Sequence, residues 1–82
     1  MGDGMVRLVF RWAAQAEAAE EMLDPGIPFT RCRNVLRVSI ADQTAVVEYL
    51  DALVAEWLLS DDDAVRAVAE MNRQLEQEAS GG

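Results

Sequence analysis

Histidine and lysine are missing altogether from this 82-residue chain, and cysteine, proline and aromatic residues are scarce. Without histidine, the side chain most used as a general base near neutral pH and the usual nitrogen ligand for metals are both lacking. The single Cys32 can close no intramolecular disulfide, so nothing points to an oxidising compartment. With no histidine to activate it, that thiol is a poor nucleophile. No Gly-rich phosphate loop stands between a strand and a helix. No apolar run approaches the length of a membrane span, and Met1 to Asp3 lacks the basic start and apolar stretch of a signal peptide. These absences lead us to expect a cytoplasmic protein that is not an enzyme, with no cofactor, no bound metal and no membrane contact.

Charge is plentiful but one-sided. The net charge is −8. Residues 1–40 hold five acids against five arginines, so the whole excess lies in residues 41–82, where ten acids face Arg66 and Arg73. A protein that binds nucleic acid by itself is expected to be basic overall, so any such role here is local to one face or shared with a partner. The length allows a single thin-cored domain. Such a chain buries roughly 60 to 65% of its unfolded surface, and small folds often gain further burial by association.

The arginines of the first half follow a pattern. In Val6-Arg7-Leu8-Val9-Phe10-Arg11-Trp12 the even positions are apolar while Arg7 and Arg11 fall on odd ones. From Arg31 to Ile40 the same parity places Cys32, Leu36, Val38 and Ile40 on one side and Arg31, Arg33 and Arg37 on the other. A period of two marks a strand with one buried face. If both stretches belong to one sheet, Arg7, Arg11, Arg31, Arg33 and Arg37 share its outer face and form a candidate contact for phosphate or nucleic acid, since guanidinium groups bind phosphate bidentately. The plainer alternative is a solvated face whose charges guard against edge pairing. Cys32 is then a small core residue.

The remaining elements are helical. Ala13 to Leu23 is rich in Ala, Gln, Glu and Met, with Ala16 and Ala19 placed to lie close against a sheet, and Asp24-Pro25-Gly26-Ile27-Pro28 ends it. Asp42 is placed to cap a helix carrying Val46, Val47, Leu50, Leu53, Val54, Trp57 and Leu58 at helical spacing. Its apolar face is wider than a small sheet covers, so Val46, Leu50, Leu53, Val54 and Trp57 form the expected protein interface. Ser60 and Asp63 fit a capping box that opens a last helix, about 64–79, with a seam at Val65, Val68, Asn72, Leu75 and Ala79. The run Asp61-Asp62-Asp63 lacks the glycine and further oxygen ligands of a calcium loop and reads as a helix start. The expected fold is α+β, a sheet of two to three strands against helices in the order β-α-β(-β)-α-α. The domain spans 5–79, with a disordered start at 1–4 and a disordered tail at 80–82. A bundle in which residues 5–23 form one helix stays open, because Met5, Leu8, Val9 and Trp12 also fit a helical stripe.

From Val35 the run Val-Leu-Arg-Val-Ser-Ile-Ala-Asp-Gln-Thr-Ala-Val-Val-Glu-Tyr-Leu-Asp-Ala-Leu resembles the last strand and following helix of the small dimerisation subunit of the KEOPS complex. Val9-Phe10-Arg11-Trp12 and Leu23-Asp24-Pro25 are similar to its first strand and the end of its first helix, so the resemblance spans residues 5–58. The family's helix arginine falls on Val47 and its Asn-Ser pair on Asp51-Ala52. The resemblance implies a non-catalytic, homodimeric scaffold that docks by its helices onto the catalytic subunit of a tRNA-modifying machine, with RNA reached through that complex. The rival from another class is an acidic inhibitor, antitoxin or phage-type regulator, which would occupy a basic surface on its target with the carboxylates of residues 48–78.

Overall fold

The computed structural model describes residues 5–40 and 42–80, without the side chains of 75 and 78–80. The expected disordered start at 1–4 and residues 81 and 82 of the expected disordered tail lie outside the described residues, while Ser80, expected in that tail, is the last residue of a helix. Six elements follow one another: β1 (Met5–Val9), α1 (Ala13–Glu21), β2 (Phe29–Cys32), β3 (Val35–Ser39), α2 (Gln43–Ala55) and α3 (Asp61–Ser80). The order is β-α-β-β-α-α, a small α+β fold.

The strands form an antiparallel sheet in the order β1-β3-β2. Residues 5–9 are a strand, not the start of a helix. Val6 and Leu8 lie opposite Val38 and Leu36 and bury with them, whereas Arg7 and Val9 turn outward. Helical coiling would have scattered that alternation around an axis. Asn34 fastens the end of β1. Its carbonyl accepts from the Phe10 amide at 2.8 Å, and its side-chain amide donates to the Phe10 carbonyl at 2.7 Å.

The expected single stretch from Arg31 to Ile40 is two strands joined by the two-residue turn Arg33-Asn34, and this inverts the parity on its near side. Cys32 lies opposite Val35 and shares its outer face, while Arg31 lies opposite Leu36 and shares the inner one. Cys32 is therefore exposed rather than a core residue. Arg33 holds φ 57, the left-handed conformation a tight hairpin requires.

All three helices build the layer over the inner face. Ala16 and Ala19 are wholly buried, and their small side chains let α1 lie against β2 and β3. The Asp42 carboxylate accepts from the Thr44 amide at 2.9 Å and caps α2. Val46, Leu50 and Leu53 then descend onto Leu36 and Val38, forming the centre of the core. The Tyr49 hydroxyl donates to the Ala19 carbonyl at 2.6 Å and ties α2 to α1. Burial, with Glu20 nearby, pushes its phenol well above the ordinary tyrosine range.

Helix α2 ends sooner than its apolar spacing suggests. The Leu58 amide bonds the Leu53 carbonyl at 2.9 Å and the Trp57 amide bonds the Val54 carbonyl at 3.0 Å, a Schellman ending with Trp57 at φ 65. Ser60 then opens α3. Its hydroxyl accepts from the Asp63 amide at 3.2 Å and donates to the Asp63 carboxylate at 2.9 Å, the expected capping pair.

The stripe of α3 is not the expected one. Ala67 and Met71 are buried, with Ala64 and Val68 beside them, while Val65 is 69% exposed and Asn72 accepts a hydrogen bond from Gln43 at the surface. The helix turns this way because it lies along β1, where Ala67 permits close approach.

Candidate functional site

No helix covers the outer face of the sheet among the described residues, and two successive rows of side chains cross it. One row is Arg7, Arg37 and Thr30; the next is Val9, Val35 and Cys32. Arg33 in the turn joins them, and all of these but Val9 line, with Arg31 and Asn34, a shallow groove of about 370 Å³. Directly opposed like charges destabilise a strand pair unless something neutralises them. Arg7 lies directly opposite Arg37, and among the described residues neither makes an ion pair. Arg7 also borders a smaller recess with Asp63 and Glu70, beyond ion-pair distance, whereas Arg37 on the central strand has no acid lining its groove.

The other two candidate arginines are placed differently. Arg31 faces inward and is already engaged: its Nε donates to Glu20 Oε2 at 2.9 Å, and its Nη2 lies 3.5 Å from Glu17 Oε1, so it clamps β2 to α1. Its register puts it on the inner side of the sheet, because the turn at Arg33 reverses its side, although it still borders the groove from the edge strand. Arg11 follows the end of β1 and stacks over the Trp12 ring at 5.5 Å. The outer face thus unites Arg7, Arg33 and Arg37, and leaves Arg11 and Arg31 to separate roles.

The expected interface on α2 is likewise split. Val46, Leu50 and Leu53 are spent within the domain, each at most 1% exposed, because the sheet and α3 together cover the face that looked too wide. They cannot also meet a partner. Val54 is half-buried, and Trp57, beyond the helix end, is 88% exposed. Trp12, Val9 and Phe29, which no sequence pattern singled out for contact, are also exposed. Thr30 and Cys32 join the arginine face for the same reason that Arg31 leaves it. The Arg33-Asn34 pair was the available signal, since Asn is favoured in tight turns.

Among the described residues, no group of three His, Cys, Asp or Glu could hold a metal ion, and no helix is long and apolar enough to cross a membrane. What the open face offers chemically is three positive charges, the Thr30 hydroxyl and the exposed Cys32 thiol beside the apolar Val9 and Val35. Compared with protein families, with curated proteins and with solved structures, the chain matches none.

Proposed function

We propose that the protein is a non-catalytic, protein-binding subunit of a larger cytoplasmic assembly, docking through the open face of its sheet. The observation that carries this reading is Arg37 opposite Arg7 on a face no helix covers, beside exposed Val9. A stand-alone domain would gain by placing an acid or a threonine at one of the two positions. An acidic segment of a partner supplies the missing countercharge and covers the apolar row at the same time. The resemblance over residues 5–58 makes a tRNA-modifying assembly the favoured setting. In that setting RNA is reached through the complex, because the net charge of −8 repels a free polyanion from this chain alone.

The rival reading, an acidic regulator that occupies a basic surface, is favoured by Asp61 and Asp62, both exposed at the start of α3. Co-purification from the native host separates the two. The triple variant R7E/R33E/R37E is expected to lose the partner that the unaltered protein retains, and mass spectrometry identifies that partner. Retention by this variant, together with loss on D61N/D62N, would replace the proposal with the regulator.

A further inference from the structure

Arg7 and Arg37 oppose each other at the closest approach an antiparallel pair allows. The Phe10 amide bonds the Asn34 carbonyl at 2.8 Å, so along β1 the even residues exchange hydrogen bonds with β3 and the odd ones do not. Residues 7 and 37 are therefore a non-bonded pair, whose Cα atoms stand about 4.5 Å apart and whose side chains leave the sheet close together. Thr30 lies on the other side of Arg37, and its hydroxyl makes no hydrogen bond among the described residues. Arg33 enters the same groove from the turn, and no acid lines it.

Two guanidinium groups at that spacing select their counterion. Each offers a fork of donors to two acceptor oxygens, and the pair carries two positive charges. A carboxylate has one charge and two coplanar oxygens, enough for one fork. A phosphate monoester carries about −1.5 to −2 at neutral pH on three acceptor oxygens, so it meets both forks and still faces the Thr30 hydroxyl. A nucleic-acid diester brings one charge per phosphate, within a polyanion that the net charge of −8 repels.

The groove is shallow and its arginines are exposed, so a phosphate alone gains little there. Beside the charges runs the apolar row, where Val9 is 48% exposed and Val35 half-buried. A peptide that carries the phosphate covers this row with its neighbouring side chains. The short stems of phosphoserine and phosphothreonine suit such a surface, whereas the long ring of phosphotyrosine calls for a deeper pocket.

We infer that the open face reads a phosphorylated serine or threonine in an extended segment of the partner, with the phosphate seated between Arg7 and Arg37, Thr30 donating to it and Arg33 meeting an acid beside it. This deepens the reading of a protein-binding subunit and rests on it.

Fluorescence anisotropy of the full chain tests it, with matched labelled peptide libraries degenerate around a central phosphothreonine, glutamate or threonine. The phosphothreonine library is expected to bind at least about tenfold more tightly than the glutamate one. R7A and R37A should each weaken that binding by about tenfold or more and T30V by about threefold, while all three variants melt as cooperatively as the unaltered protein. Inorganic phosphate and single-stranded RNA should compete only at about a hundredfold higher concentration than the unlabelled phosphopeptide. Phosphatase treatment of an extract of the native host should release the partner. The inference is overturned by a glutamate library that binds as well as the phosphorylated one, by a phosphothreonine library that does not bind, by R7A and R37A binding at full strength, or by phosphate or RNA competing as strongly as the peptide. A partner that survives phosphatase treatment but is lost with R7E/R33E/R37E also overturns it, and leaves the protein-binding reading standing. Retention that R7E/R33E/R37E leaves intact removes both.

Discussion

Leu36 and Arg37 are neighbours in β3, yet they face different media. Leu36 is wholly buried between Leu8 and the helices, while Arg37 stands in solvent between Arg7 and Thr30. The inner face is satisfied within the domain. The outer one keeps an apolar row and opposed like charges that make no ion pair among the described residues. That divide separates a face whose side chains are accounted for by packing within the domain from one on which opposed like charges stand in solvent.

Truncating each face in turn tests the divide. Leu36→Ala should cost about 3 kcal/mol in a urea titration, since a thin core collapses poorly around a cavity. Val35→Ala, one residue away on the outer face, should cost less than about 1 kcal/mol. Equal losses would mean that the outer face is as firmly packed as the inner one.

Tyr49→Phe comes next, with an expected cost of about 1 kcal/mol for the lost bond to the Ala19 carbonyl. The folded state holds the Tyr49 proton more tightly than the unfolded chain does. Its share of stability is therefore complete below the unfolded value of about 10 and is lost as pH rises above it. The phenylalanine variant should show a shallower alkaline decline in melting temperature than the unaltered protein.

The smallest effects differ in sign. Arg31→Ala should destabilise by about 1 kcal/mol, because it releases Glu17 and Glu20 at a half-covered site. Arg37→Thr should stabilise by about 0.5 kcal/mol by ending the opposition to Arg7, and the gain should shrink in high salt. Destabilisation by both would remove the case for an unresolved charge on the open face.

Much of this arrangement is legible in the residues. The alternation from Val6 to Phe10 favours the strand and marks its inner side, with a helical stripe left open, and Asp42 and the Ser60–Asp63 pair mark two helix starts through their preferred cap chemistry. Three features are not legible, each for a physical reason. Arg33 turns the hairpin without glycine, so residues 31–40 read as one strand with Cys32 and Arg31 on the wrong sides. Trp57 ends α2 without glycine, so its hydrophobicity counts toward a face it never joins. On α3, both Val65 with Val68 and Ala67 with Met71 satisfy helical spacing, and only the approach to β1 chooses between them.

Helix α1 is built largely of alanine, and its hold on the domain is correspondingly light. Within its nine residues only Ala16 and Ala19 are buried, so little oily surface keeps it down, and polar fastenings from Tyr49 and Arg31 supply much of the grip. It is the element whose detachment is least opposed, and its amides should trade their protons for deuterium well before those of β3. Were this acidic helix to detach, Arg31 would lose both of its carboxylate partners and add its charge to the edge of the sheet.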